Sequence, residues 1–264
     1  MSRLPRPDQA LSTLAASPAT VLLALDFDGV LAPIVDHPAD ARPLPETIAA
    51  VERLASRVAV ALISGRGLEE LSTVTGPLPE GTWLVGSHGA EFGRVRDGRY
   101  ELEPFDLADD ARGVQDELIA AAELIGERHE GVLVQRKPTT VLVHTKMALP
   151  EVEAAATAEA VALGSARGLK TVVGKHIVEI AVHPAHKGEG VAALRSATGA
   201  DVVVYVGDDT TDEDALETLG GRDVGIKVGP GPTAARYRVD SPEDVAGVLT
   251  RFAEALGTSG LAAD

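Results

Sequence analysis

A chain of 264 residues, 45 % of them apolar, is long enough for a full core and near the length at which one core divides or accepts an insertion. Its formal charge of -16 argues against non-specific binding to nucleic acid, and an anionic substrate would need local cations or a metal to reverse that field. There is no cysteine for a disulfide, thiolate or cysteine-built zinc site, and the longest N-terminal apolar stretch, residues 21–25, is too short for a membrane span, so a soluble cytoplasmic protein is expected.

In chain order, residues 1 to about 18 show little periodicity and are expected to fray, as are 259–264. Short apolar runs rich in β-branched residues at 21–25, 58–63 and 202–206 predict parallel strands buried on both faces. Helical patterns at 46–56, 68–73, 188–197 and 211–219 alternate with them, which predicts an α/β, doubly wound (Rossmann-like) parallel sheet. Between about 105 and 181 the pattern changes to helix (108–128), strands (132–135, 141–144), helix (151–166) and strands (171–173, 176–181). The expected organisation is therefore a core of 1–105 and 183–264 with an α+β cap domain, 106–182, inserted in it. Ser241, Pro242 and Asp244 predict the start of a last helix. Trp83, the tyrosines and the methionines read as packing.

Four constellations carry chemistry. Asp26 and Asp28 follow the first strand, and residues two apart on extended chain face one side. Such a pair repels itself unless a cation neutralises it or one member is protonated, either of which suits phosphoryl chemistry; a plain Asp28-Gly29 turn explains it equally well. Asp208 and Asp209 stand at the mouth of another strand, where they could complete an oxygen-rich magnesium site with Asp26, while Asp212 is also explained as a first-turn acid. Ser64-Gly65-Arg66 opens a helix after the second strand, as a phosphoryl cradle or an N-cap. Lys187-Gly188 opens another helix, where the lysine could offset the charge of a phosphate and of Asp26, or simply be solvated.

In this order and spacing the chain resembles the haloacid dehalogenase-like phosphatases, through Asp26-x-Asp28-Gly29, Ser64, Lys187 and Gly207-Asp208-Asp209 with Asp212. Within them it is most similar to the trehalose-6-phosphate phosphatases, through Ser64-Gly65-Arg66, Gly86-Ser87-His88-Gly89-Ala90-Glu91 and Gly207 to Asp214. The resemblance implies that Asp26 is the nucleophile, Asp28 the general acid and base, and Ser64 and Lys187 the phosphoryl clamps. It further implies Mg2+ on the Asp26 carboxylate, the Asp28 carbonyl and Asp208, with Asp209 and Asp212 behind them. In the cap, Arg136-Lys137 with His144, and Gly174-Lys175 with Glu179, look like the sugar-contacting segments. Substrate contacts are thus expected from Gly65, Arg66, His88, Glu91, Lys137, Lys175 and Glu179; the alternatives are a solvated cross-strand face for the cap lysines and Glu179, and support of a core turn or hairpin for His88 and Glu91.

Two departures stand out: Ala181 replaces the usual basic residue after the cap glutamate, and Val30 the usual threonine. The implied reaction is hydrolysis of trehalose 6-phosphate, a small-molecule sugar phosphate, with no nucleic acid, membrane or obligate protein partner. Rival readings are another sugar-phosphate phosphatase or phosphomutase, and a non-catalytic sugar-phosphate sensor; retention of Asp26, Asp28, Lys187 and Asp208 speaks against the sensor.

Overall fold

The computed structural model describes residues 4–259, apart from the side chain of Ser259. The first half contains α1 (Asp8–Ala15), β1 (Val21–Leu25), α2 (Pro45–Ala55), β2 (Ala59–Ile63), α3 (Leu68–Val74), β3 (Trp83–Gly86), β4 (Glu91–Arg96) and β5 (Arg99–Leu102). An inserted stretch follows, with α4 (Asp109–Arg128), β6 (Leu133–Arg136), β7 (Thr140–His144), α5 (Pro150–Ser165), β8 (Thr171–Gly174) and β9 (Ile177–Ala181). The chain ends with α6 (Lys187–Thr198), β10 (Val202–Gly207), α7 (Glu213–Leu216), β11 (Val224–Val228), β12 (Tyr237–Val239) and α8 (Pro242–Ser259). These elements divide between two compact units, Met1–Glu103 with Ala185–Asp264, and Pro104–Pro184.

The first unit holds an eight-stranded sheet in the order β12-β11-β10-β1-β2-β3-β4-β5. The six strands from β12 to β3 are mutually parallel, and β4 and β5 add an antiparallel edge. Every residue of β1 and β10 is buried, as central strands covered on both faces require. One face packs Leu11 of α1, Val51 and Leu54 of α2, Leu68 and Leu71 of α3 and Leu249 and Phe252 of α8; the other packs Val191 and Leu194 of α6 with Ala215 and Leu216 of α7. The chain leaves β1 towards β2 on one side and returns to β10 on the other. A crevice therefore opens at the carboxyl ends of β1 and β10, where an α/β sheet receives ligands.

The second unit is a four-stranded antiparallel sheet, β6-β7-β9-β8. Val141, Val143, Val178 and Ile180 pack against Leu118, Ala122 and Ile125 of α4 and Ala156 and Ala160 of α5. With period-two alternation, Leu142, His144, Ile177 and Glu179 lie on the opposite face.

Three expectations need correction. Residues 8–15, expected to fray, form α1, whose Leu11 and Ala15 are buried in the core and whose Asp8 is bonded by Arg251 of α8; residues 1–3 and 260–264 lie outside the described residues. The helix expected over 211–219 is only the single turn of α7: before it Asp209 Oδ1 caps a tight turn, accepting from the Thr211 N–H at 2.8 Å, the Asp212 N–H at 3.1 Å and the Thr211 hydroxyl at 2.8 Å, and after it the Thr218 and Leu219 N–H groups bond carbonyls three residues back, Ala215 and Leu216. The strands β3, β4, β5, β11 and β12 had no counterpart among the predicted elements. Among the described residues, no helix is long and apolar enough to cross a membrane.

Candidate active site

β1 delivers Asp26 to the crevice with its N–H still bonded to the Val206 carbonyl at 3.0 Å, so the β1–β10 ladder fixes the residue's position. Beyond it the chain turns back sharply, the Leu31 and Ala32 N–H groups both bonding the Phe27 carbonyl. Gly29 has φ +75°, and a Cβ there would stand 2.0 Å from Asp208 Oδ2. Left-handed backbone and close approach of a carboxylate both demand glycine at this point.

Asp26 is 4 % exposed, Lys187 2 % and Asp212 0 %. Lys187 Nζ lies 3.1 Å from Asp26 Oδ1 and 2.7 Å from Asp212 Oδ1. Burial would favour a neutral lysine, but Asp26 and Asp212 outweigh it and raise the Lys187 pKa above its ordinary value. Burial drives the Asp26 carboxyl well above the usual carboxylate range; Lys187 opposes that shift, and Asp212, Asp209 and Asp208 add to it. At Asp208 burial, then Asp212 and Asp209, push the pKa up to about 7 against Lys187 and Lys227. Asp209 goes the other way, since Lys187 and its own hydrogen bonds overcome its burial.

Carboxylate oxygens of Asp26, Asp208 and Asp212 lie within 4.8 Å of one another. Asp212 is the least available of the three: Oδ1 accepts from Lys187 and, at 2.6 Å, from the Tyr205 hydroxyl, while Oδ2 accepts from the Asp208 and Asp209 N–H groups at 2.8 and 3.0 Å. Four donors occupy a carboxylate's lone pairs, so Asp212 orients Lys187 and the loop. Gly207 makes room for it, because a Cβ there would meet Asp212 Cγ at 2.3 Å. That leaves Asp26 and Asp208 as under-neutralised oxygen donors, a set that fits a hard divalent cation.

Asp28 is held differently. Arg66 Nε and Nη2 bond its two carboxylate oxygens at 2.7 and 2.8 Å, and Arg66 Nη1 bonds Glu70 at 2.7 Å. The guanidinium also lies over the Phe27 ring, 5.4 Å from its centroid. Arg66, expected at the substrate, thus clamps Asp28. The Asp28 carboxylate is not part of the acidic cluster around Lys187.

Ser64 follows β2, its N–H bonded to the Val85 carbonyl and its hydroxyl oxygen accepting the Arg66 N–H at 3.2 Å. Ser87 and His88 follow β3 with φ of 48° and 58°, a consecutive left-handed pair. Their N–H groups bond the carbonyls of Arg66 and Ser64, and the His88 ring lies against Gly65, where a Cβ would meet it at 2.5 Å. Glu91 accepts the Ser87 hydroxyl at 2.5 Å and the Leu68 N–H at 3.3 Å, so it braces this turn. The structure therefore gathers Ser64, Gly65, Arg66, His88 and Glu91 into one loop system.

Within the second unit, Glu179 on β9 stands in register with Leu142 and Val172. Burial raises its pKa, relieved by a hydrogen bond with the Thr140 side chain and by Lys137 and Lys170. His144 is shifted down by burial and by Lys137, which groups Lys137 with both. Lys175 is exposed in the β8–β9 turn, and Arg136 is engaged by Gln115 and Asp116 of α4. Two contacts in this cluster escaped the sequence reading: Tyr205, read as packing, bonds Asp212, and Lys227 reaches the Asp208–Asp209 backbone.

Comparison with known proteins gives this arrangement a family. The Trehalose-phosphatase family model matches residues 24–243. The chain is 34 % identical over 277 residues to the trehalose-phosphate phosphatase of Mycolicibacterium paratuberculosis, covering 97 % of this chain and 68 % of that one. The corresponding protein of Mycobacterium avium is likewise 34 % identical, over 277 residues and the same shares. Among solved structures, trehalose-6-phosphate phosphatase of Aspergillus fumigatus superposes with a TM-score of 0.67 at 27 % identity, covering 96 % of this chain and 99 % of that one. The chain belongs to the trehalose-phosphatase family, whose named members are phosphoric monoester hydrolases.

Proposed function

We propose that the chain hydrolyses trehalose 6-phosphate to trehalose and inorganic phosphate, with Asp26 as covalent nucleophile. The observation that carries this reading is the buried Asp26 carboxylate at the β1–β10 crevice, beside Lys187, with a second carboxyl, Asp28, clamped two residues on. An Asp26 oxygen attacks phosphorus and the bond to the sugar oxygen breaks, leaving an aspartyl-phosphate. Protonated Asp28 gives its proton to the departing oxygen. Asp28 then takes a proton from water, whose oxygen attacks phosphorus, freeing Asp26 and phosphate. Ser64 and Lys187 bind the transferring oxygens, a positioning and electrostatic role.

Asp26, the Asp28 carbonyl and Asp208 are the proposed holders of Mg2+, with Asp209 and Asp212 supporting them. When bound, the ion supplies positive charge to the phosphoryl oxygens. Lys137, Lys175 and Glu179 have the donors and acceptors suited to sugar hydroxyls. Phosphate release from a panel of sugar phosphates tests the substrate: trehalose 6-phosphate is expected to be hydrolysed preferentially, and equal turnover of glucose 6-phosphate would overturn that choice. Asp26→Asn is expected to fold normally and release no phosphate; undiminished release would remove Asp26 from its role.

A further inference from the structure

Lys227 is 4 % exposed in an otherwise apolar strand, β11, and the proposed chemistry gives it no part. Its strand position is in register with Gly207, the residue before Asp208. From there Nζ bonds the Asp208 carbonyl at short range and the Asp209 carbonyl at 3.2 Å. Glu213 Oε1 stands 3.6 Å away, while Glu213 Oε2 is anchored by the Thr233 hydroxyl at 3.1 Å and the Ala234 N–H at 2.8 Å.

Burying an ammonium group is costly unless it is paired and hydrogen-bonded. Here two of its three hydrogens are used by consecutive carbonyls, and the nearest acid is the half-buried Glu213. Its acceptors are thus backbone carbonyls of the turn, whereas Lys187 lies against the carboxylates of Asp26 and Asp212. The N–H groups of the same two residues are bonded by Asp212 Oδ2. The Asp208–Asp209 backbone is thus gripped by its N–H groups from one side chain and by its carbonyls from another.

We infer that Lys227 is a positioning residue that braces the Asp208–Asp209 turn so that the Asp208 carboxylate is presented to a divalent cation. The inference rests on the proposed metal site, and charge and geometry pull its test in opposite directions. Removing a cation near an acidic cluster strengthens metal binding if only Coulomb attraction matters. Losing the brace weakens it, because magnesium demands near-ideal ligand geometry.

The test is calorimetric titration of Mg2+ into the native enzyme and into Lys227→Met, with folding of the variant checked by circular dichroism. Supporting residues of this kind are worth about tenfold or more in metal affinity, so weakening by about tenfold is expected. Equal or tighter binding by the folded variant overturns the inference. Absence of Mg2+ binding by the native enzyme overturns the metal site itself, a distinguishable result. Should Lys227→Met not fold, crystals of the native enzyme with Mg2+ and inorganic phosphate decide. Lys227 on both carbonyls, with the Asp208 carboxylate on the ion, supports the inference, and Lys227 turned onto the phosphate overturns it.

Discussion

Lys187 Nζ bridges Asp26 and Asp212, 3.1 Å from one carboxylate and 2.7 Å from the other, with all three side chains buried. One ammonium serves two acids, so it holds Asp26 near its strand end while Asp212 holds the lysine. Lys187→Met keeps the length of the side chain and removes the charge. Two buried carboxylates then face each other uncompensated, and loss of one partner in such a site costs about 3 kcal/mol or more. A folded fraction should release phosphate about 100-fold more slowly, the usual cost of removing one electrostatic contact to a transition state. Denaturant melts and single-turnover phosphate release check the two effects separately.

The raised carboxyls predict how stability responds to pH without metal. In the folded chain Asp208 titrates at about 7, chiefly through burial, and Asp26 is shifted the same way. An acid whose folded pKa exceeds its unfolded value binds its proton more tightly when folded, so its contribution is present at low pH and is lost as pH rises through the folded value. The melting temperature in EDTA is therefore expected to fall between about pH 5 and about pH 8. Mg2+ favours the ionised carboxylates and should flatten that slope. Identical slopes with and without Mg2+ would contradict the assignment of these acids to a metal.

The parts legible in the sequence are those where a side-chain pattern alone carries the information. Residues 21–25 and 202–206 are too apolar to be anything but buried strands, and the acids that follow them point to the crevice without further help. β4 and β5 escaped because they form an edge, with alternating or mostly exposed positions and a short Asp97-Gly98 turn. The role of Arg66 was illegible for another reason: its partner Asp28 is 38 positions away, and only the β1–β2 pairing makes them neighbours. Lys227 did leave a signal, a lone cation inside Val224 to Val228, but its acceptors are backbone carbonyls that have no sequence signature.

The left-handed pair Ser87–His88 predicts a stability cost at Glu91. Non-glycine residues in this region cost roughly 1–2 kcal/mol each, so the turn persists because hydrogen bonds to Arg66, Ser64 and Glu91 over-determine it. Glu91→Ala removes the acceptor for the Ser87 hydroxyl and the Leu68 N–H, and a loss of roughly 1–3 kcal/mol is expected in denaturant melts. Turnover should fall with it, because the turn is laced to Ser64. A raised KM at unchanged stability would instead make Glu91 a substrate contact.

Arg66 offers the sharpest division between a substrate contact and a positioning role. Its guanidinium holds Asp28 by two parallel bonds and Glu70 by a third, with a side chain only 8 % exposed. Arg66→Met leaves Asp28 chemically intact but free to rotate. Misplacing a reacting group by about 1 Å costs on the order of 100-fold, so kcat should fall by that amount while KM stays near its native value. Arg66→Lys retains the charge and a single point of contact, and should recover only part of the loss because it cannot reproduce the fork. If Arg66 bound the substrate phosphate instead, the same variants would raise KM at nearly constant kcat. Steady-state kinetics of the two variants with trehalose 6-phosphate therefore separate the roles, and the bidentate contact with Asp28 predicts the first pattern.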